Sequence, residues 1–207
     1  GCGKTTLAAL IVKSLVNDGK NVLAIDCAPQ GGLTALLHGE PTGKTLFDLI
    51  MGDTVEPLQK DGFSLLQGCH RLDSIYATVQ PFIFEDALKT FSFDVVVIDC
   101  PPTLSGITRA AALYSDRVII PADISRPTMR ATLYSVKELK KLKKKSDVYL
   151  IGRDPDDKTG FIPDMTREFI EKLDGAFKGY IPKSITIQKI VTGQVKKPKF
   201  DAIKGML

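Results

Sequence analysis

Short apolar runs alternate with amphipathic segments along most of the chain. The runs NVLAID, DVVVID, RVIIPAD and DVYLIG are nearly continuous in valine, isoleucine and leucine, which is typical of strands buried on both faces of a parallel sheet. Apolar residues recur at helical spacing in three other segments, which are TLAALIVKSLVNDG, LTALLHG and a long segment from about Met129 to Lys145. The pattern predicts an α/β fold with one doubly wound, mainly parallel sheet, helices on both faces, and a single domain over 1–207.

The chain starts with GCGKTT, directly before the first helical segment. These residues match the end of a P-loop, G-x-x-x-x-G-K-[ST], in which backbone amides surround phosphate oxygens at a helix N-terminus. In this motif Lys4 reaches the terminal phosphates and Thr5 offers a hydroxyl to magnesium. The candidate nucleotide-binding residues are Gly1, Cys2, Gly3, Lys4, Thr5 and Thr6. The fold is therefore of the P-loop NTPase type, and we expect the N-terminal strand and the start of the loop to be absent from the chain.

The apolar runs NVLAID and DVVVID each end in an aspartate. Asp26 is followed by the turn-like CAPQGG, and Asp99 precedes a pair of prolines. An aspartate at the end of a buried strand, paired with an upstream GKTT, has the form of a Walker B carboxylate beside magnesium. Because ligands of parallel α/β sheets gather at the carboxyl ends of the strands, we expect Gly3, Asp26 and Asp99 to lie together.

Composition and cysteine usage narrow the class of protein. The chain is 43% hydrophobic and 25% charged, and it contains neither an apolar run of 18 residues nor an N-terminal signal pattern, so we expect a cytoplasmic protein. Its four cysteines form no CxxC pair, which argues against a zinc site or a disulfide framework. Cys27 and Cys100 follow the two aspartates, where small turn fillers explain them better than a redox switch does.

The net charge of +4 is unevenly distributed. Residues 137–145 contain six lysines and one glutamate, and residues 183–204 contain six lysines and one aspartate, so each segment carries +5 and the rest of the chain carries −6. A solvated lysine-rich surface explains either segment as well as a binding function does. As a binding surface, lysines without interleaved aromatics favour sequence-independent contact with phosphates. The lysines that could make such contacts are Lys140, Lys141, Lys144, Lys145, Lys189, Lys196, Lys197 and Lys199.

The motifs GCGKTT, AIDCAPQGGLT, DVVVIDCPP and RVIIPADIS, in this order, resemble the ParA/Soj group of deviant Walker-type partition ATPases, in the family that also contains MinD. The resemblance covers essentially the whole chain. It implies ATP and Mg²⁺ as cofactors and an ATP-bound homodimer that binds DNA non-specifically. The lysines of the two basic segments named above are then the candidate DNA-binding residues. It also implies a ParB-like adaptor that stimulates hydrolysis, plasmid or chromosome cargo, and association with the nucleoid rather than with a membrane.

The resemblance also implies roles for single residues. Lys4 matches the catalytic P-loop lysine, Asp26 the first carboxylate of the family's D-x-D-P-Q motif, and Asp99 the Walker B carboxylate. The metal site would consist of Thr5 together with both carboxylates, which act through magnesium-bound water. Pro182 and its neighbours match, loosely, the loop that packs against adenine. The hallmark lysine of the family would lie two residues before Gly1.

Residue 28 departs from the family pattern, because D-x-D-P-Q reads Asp26-Cys27-Ala28-Pro29-Gln30 here. The missing aspartate is the one thought to orient or activate the attacking water, and alanine has no acceptor for that water. Ala28 therefore predicts intact nucleotide binding with hydrolysis slowed about 10²–10⁴-fold. A natural slow variant and a deliberate substitution that traps the ATP dimer both explain it, and the intact surroundings favour the second.

Three other functions share parts of this pattern. A MinD-like positioning ATPase would bind membranes through a C-terminal amphipathic helix, but KKPKFDAIKGML is short, weakly apolar and interrupted by Pro198. An iron–sulfur carrier ATPase is disfavoured by the lack of CxxC. An ATP-gated DNA-binding module with little turnover agrees with Ala28.

Overall fold

The computed structural model describes residues 3–152 and 164–181, together with residues 189 and 203. Within residues 3–152 and 164–181 the regular structure consists of seven α-helices and seven strands, numbered in chain order, and a 3-10 helix at His70–Ser74. The helices are α1 (Lys4–Asn17), α2 (Gly32–Leu37), α3 (Leu46–Ile50), α4 (Ile83–Leu88), α5 (Gly106–Tyr114), α6 (Arg126–Lys141) and α7 (Asp164–Lys172). The strands are β1 (Val22–Asp26), β2 (Leu58–Lys60), β3 (Phe63–Leu66), β4 (Val95–Asp99), β5 (Val118–Ala122), β6 (Ser146–Ile151) and β7 (Phe177–Ile181).

The strands pair mainly in parallel, which confirms the predicted fold class. One group has the order β2-β3-β1-β4 and the other has the order β5-β6-β7. Within the first group, β1 pairs in parallel with β3 and β4, whereas β2 and β3 form an antiparallel hairpin. The sequence predicted a single sheet and no hairpin. Helix α1 packs against β1, β4 and β5, so the two groups of strands share one helix as a cover.

The facing edges of β4 and β5 explain why two groups of strands form. Among the described residues, no strand pairs with β4 on the side away from β1, or with β5 on the side away from β6. The segment 95–98 of β4 is wholly apolar yet only half-buried, whereas every residue of β1 is buried. A continuous apolar run is typical of a strand covered on both faces. The strand that the sequence analysis expects before the P-loop is not tested by these edges and stays a prediction.

Helices cover both faces of β1. Successive side chains of a strand point to opposite faces, so Ala24 packs with Leu10 of α1 on one side and Ile25 packs with Phe84 and Ile107 on the other. A third apolar cluster joins α6 and α7 to the strands of the second group. None of the described helices is both long enough and apolar enough to span a bilayer.

Helix α6 differs from its prediction at both ends. It begins at Arg126, three residues before the predicted start, because Ser125 is extended and Pro127 is tolerated in a first turn. It ends at Lys141, and Lys143 has a positive φ of 57°. A left-handed backbone at this point terminates a helix, so the expected continuation to Lys145 is wrong.

Candidate functional site

The ends of β1 and β4 bring two carboxylates together. Asp26 and Asp99 are direct register partners in the parallel pair, and the amide of Cys27 donates to the carbonyl of Asp99 at 2.9 Å. Both aspartates are buried, at 0% and 3% exposure. The reason is local: each is the last residue of an apolar strand, so its side chain lies at the carboxyl edge of the sheet.

The N-terminus of α1 lies at the same edge. Gly3 caps the helix with a φ of 75°, a left-handed conformation that glycine adopts without strain. Lys4, Thr5 and Thr6 form the first turn, in which no acidic residue and no side-chain cap satisfies the free amides. Free amides and the helix dipole make such a terminus an anion-binding site. Of the P-loop candidates, Gly1 and Cys2 lie outside the described residues.

Asp99 connects the helix terminus to the strand. Its side chain is hydrogen-bonded to Thr5, and the charge of Lys4 acts on it. The pKa of Asp99 is raised to about 6, mainly by burial; the nearby Asp26 adds to this rise, while the hydrogen bond from Thr5 and the charge of Lys4 oppose it. The Oδ2 atom of Asp99 is buried with no hydrogen-bond partner among the described residues.

An open carboxylate oxygen beside a threonine hydroxyl and a phosphate-binding terminus fits Mg²⁺. Magnesium prefers oxygen ligands and is held by one or two carboxylates plus substrate phosphates rather than by an all-protein cage. The described part of the chain contains no group of three or more histidine, cysteine, aspartate or glutamate side chains that could hold a metal. The residues that would hold the ion are Thr5 and Asp99, with Asp26 next to them.

Asp26 has its own hydrogen-bond partners. Its Oδ1 accepts from the amide of Ala28 at 3.1 Å, and its Oδ2 accepts from the amide of Thr34 at 2.8 Å and from the Thr34 hydroxyl at 2.9 Å. Burial raises the pKa of Asp26, and the hydrogen bonds from Thr34 and Ala28 oppose that rise. Asp26 therefore anchors the start of α2 and has less free acceptor capacity for a magnesium-bound water than Asp99 has.

Thr34 and Gly68 complete this anchor, and the sequence analysis did not find them. The Gly68 amide donates to the Thr34 hydroxyl at 2.9 Å, which ties the segment after β3 to α2. A Cβ atom at position 68 would lie 2.8 Å from Cγ of Asp26 and 2.9 Å from the carbonyl of Ala28. The sequence marks these two residues only weakly, as a threonine near the start of a helix and a glycine after a strand.

Replacing Thr34 with valine tests whether this anchor positions Asp26. Thr34→Val keeps the shape but removes the hydroxyl, which leaves the Gly68 amide unsatisfied and Asp26 with one hydrogen bond fewer. We expect a loss of about 1–3 kcal/mol in the free energy of unfolding and weaker binding of Mg-ATP. Denaturant titration and fluorescent-nucleotide titration measure the two effects. Thr34→Ser, which keeps the hydroxyl, is the control; equal losses in both variants would contradict the positioning role.

The backbone amide and carbonyl of Ala28 both form hydrogen bonds within the turn after β1. Its amide donates to Asp26, and its carbonyl accepts from the amide of Gly31 at 2.9 Å. Its side chain is a buried methyl group at 8% exposure. The turn therefore forms without a carboxylate at position 28. Compared with the family pattern, the alanine lacks only a side-chain acceptor.

Cys27 and Cys100 each follow one of the two aspartates in sequence, and their side chains are hydrogen-bonded to each other. Burial raises the pKa of the Cys27 thiol well above its ordinary value, and its hydrogen bond to Cys100 acts in the same direction. A buried thiol of raised pKa reacts slowly, because the thiolate is the nucleophile. This geometry supports the interpretation of both cysteines as fillers of a tight turn.

Several of the lysines proposed to bind DNA contact the protein itself. Lys140 pairs with Asp174 at 2.6 Å, Lys141 pairs with Glu138 at 2.6 Å, and Lys144 donates to the carbonyl of Ser115 at 2.9 Å. Lys145 and Lys189 are exposed. The remaining candidates, which are Pro182 for adenine and Lys196, Lys197 and Lys199 for DNA, lie outside the described residues.

Comparison with known proteins gives the family. A family model described as AAA domain matches residues 1–150. The chromosome-partitioning ATPase Soj of Thermus thermophilus is 35% identical over 127 residues, which are 58% of this chain and 50% of that protein. The chain belongs to this AAA domain family, among the ParA/Soj-type partition ATPases. The chain spans about half the length of the curated relatives that it matches, such as Soj of Thermus thermophilus and of Bacillus subtilis.

Solved structures share the same fold. An aspartate-to-alanine variant of Cyanothece McdA in complex with ATP superimposes with a TM-score of 0.77 at 25% identity, covering 94% of this chain and 84% of that one. A plasmid partition protein of Borrelia burgdorferi bound to AMPPNP gives a TM-score of 0.78 at 19% identity, covering 99% of this chain and 90% of that one. The second likeness concerns the fold alone.

Proposed function

We propose that this chain is the nucleotide-binding part of an ATP-dependent partition or positioning ATPase. In this proposal Mg-ATP binds at the joint edge of α1, β1 and β4, and two ATP-bound chains form a homodimer that binds DNA non-specifically at the nucleoid. A ParB-like adaptor then stimulates hydrolysis and release. The observation that carries the proposal is the open Oδ2 atom of Asp99 beside Thr5 at the uncapped terminus of α1.

Different residues of this chain would bind the phosphates and the magnesium ion. The free amides of the first turn of α1 and the ammonium group of Lys4 would hold the phosphates, because both are positive and face the same edge. Thr5 and Asp99 would hold Mg²⁺, which neutralises charge on the phosphates when it is bound. Asp26 would keep the turn 28–31 in place through its three hydrogen bonds.

Hydrolysis would be slow, because the chain offers no side-chain acceptor at position 28 to orient the attacking water. An aspartate-to-alanine variant of the related McdA is recorded in complex with ATP, which agrees with a protein that holds ATP without consuming it. The chain would then act mainly as an ATP-gated DNA-binding module.

A co-sedimentation assay tests the proposed partner. With ATP and Mg²⁺, we expect the chain to bind random-sequence duplex DNA at low salt, with a steep loss of affinity as salt rises. With ADP we expect little binding, and we expect no flotation with anionic vesicles. Flotation with vesicles in place of DNA binding would instead support a MinD-like membrane function, and identical DNA binding with ATP and ADP would contradict the switch.

A further inference from the structure

The exposed side of α6 carries a row of cations that the nucleotide site does not use. With 3.6 residues per turn, Arg126, Arg130, Lys137 and Lys141 fall within an arc of about 60°, and a rise of 1.5 Å per residue spreads them over about 22 Å. All four are exposed. Tyr134 lies next to the row at 56% exposure. We refer to these five residues as the α6 ribbon.

Little acidic charge neutralises the α6 ribbon. Glu138 is the only acid of α6, and it is buried, where it pairs with Arg109 and Lys141. The side chains of Arg126, Arg130 and Lys137 form no ion pair with any residue in the part of the chain that the structure describes. Among the described residues, three of the four cations thus have no ionic partner, which leaves them suited to bind an external anion.

Arg126 and the spacing of these cations oppose the stability of α6, although Lys141 lies in the last turn, where the helix dipole favours a cation. Arg126 lies in the first turn, where the helix dipole disfavours positive charge, and that turn contains no acidic residue. Arg126 and Arg130, like Lys137 and Lys141, are also four residues apart, a spacing at which like charges destabilise a helix. A polyanion bound along this face would relieve both effects.

We propose that the α6 ribbon is the surface on which the ATP-bound chain contacts the phosphate backbone of duplex DNA. This inference rests on the proposed function. It moves the DNA contact from lysines of which Lys140 and Lys144 contact the protein itself to a row in which, among the described residues, Lys141 alone is paired. A rigid row of cations fits a linear polyanion, and arginine contacts phosphate oxygens with two donors at once. The Tyr134 hydroxyl adds a donor for phosphate or sugar oxygens, which positions DNA without reading its sequence.

A matched pair of double variants tests the ribbon. Arg130→Gln with Lys137→Gln removes two ribbon charges, and Lys20→Gln with Lys89→Gln removes two exposed charges elsewhere. Both pairs change the net charge equally, and glutamine keeps the helix propensity. Binding of a 30-base-pair random duplex with ATP and Mg²⁺ is titrated across salt concentrations, with poly-L-glutamate as a second probe. Circular dichroism melting and nucleotide titration report on folding and on the nucleotide site.

We expect the ribbon pair to bind DNA at least tenfold more weakly at about 100 mM salt, with the slope of log K against log salt lowered by about 2 for each chain. The control pair should stay within about twofold of the parent chain, and neither pair should change ATP affinity. Equal losses in both pairs, or none in the ribbon pair, would overturn the ribbon while leaving DNA binding itself in place. Loss of poly-L-glutamate binding alone would point to an acidic protein and overturn the inference. If the parent chain binds no DNA in any nucleotide state, the proposed function fails with it.

Discussion

Ala28→Asp is expected to raise the rate of ATP hydrolysis at least tenfold, with little change in ATP affinity. The substitution restores an acceptor at the turn after β1, whose backbone is already formed by the hydrogen bonds of Ala28 to Asp26 and Gly31. Supplying a group that orients or deprotonates the attacking water contributes about 10²–10⁴-fold in rate. Phosphate release under saturating Mg-ATP measures turnover, and nucleotide titration measures affinity.

Two controls make this result specific to the site. Ala28→Asn has a similar shape but cannot take a proton, so we expect a smaller gain from it. Ala28→Asp combined with Lys4→Ala should show no gain, which excludes a contaminating ATPase. The new carboxylate would also be buried next to Asp26, and like charges in a buried site disfavour ionisation, so we expect the nucleotide-free variant to melt at a lower temperature. Equal turnover by the parent chain and by Ala28→Asp would contradict the role given to position 28.

Asp99→Asn is expected to abolish magnesium-dependent nucleotide binding and, at the same time, to stabilise the nucleotide-free protein. The pKa of Asp99 is raised to about 6 from 3.8, so the folded chain holds a proton that the unfolded chain releases first. The free energy of unfolding therefore falls as pH rises from about 4 to about 6. Two pKa units correspond to up to about 3 kcal/mol at neutral pH. Asparagine carries no charge, so the free energy of unfolding of the variant does not fall in this way as pH rises.

Urea titration at pH 7.5 and at pH 4 separates these effects. We expect Asp99→Asn to be more stable than the parent chain at pH 7.5, with a difference that shrinks towards pH 4. Asp94→Asn, on an exposed aspartate just before β4, is the control and should show no such gain. If Asp99→Asn is destabilised at both pH values, the buried carboxylate is structural and the magnesium site is misassigned.

The apolar runs predicted the positions of the central strands well, because a strand buried on both faces requires consecutive apolar residues. β1 and β4 both end at the predicted aspartates, and α1 begins at Lys4 within the P-loop match. The hairpin of β2 and β3 was missed, since its strands are three and four residues long and carry no sustained alternation. The division into two groups of strands was missed for another reason: pairing between distant strands is not encoded in either run alone.

The placement of the candidate site was predicted in part for similar reasons. A motif at one strand end can be read locally, so the sequence predicted that Asp26 and Asp99 lie close to the P-loop residues, as they do in the structure. The roles of Thr5, Asp26 and Asp99 stay predictions. The anchor formed by Thr34 and Gly68 depends on contacts across 34 residues of sequence, which no local pattern shows. The DNA-binding surface stays a prediction. Counting lysines cannot reveal that Lys140 and Lys144 contact the protein itself, while Arg126 and Arg130 are exposed and form no ion pair in the described part of the chain.

The size of the protein in ATP and in ADP tests the central claim, a nucleotide-switched DNA-binding dimer, most directly. Light scattering coupled to size-exclusion chromatography, run with and without a short duplex, gives the mass in each state. We expect the protein to be a dimer only with ATP and Mg²⁺, and we expect only that dimer to form a complex with DNA. A single mass in both nucleotides, with DNA binding that ignores the nucleotide, would contradict it.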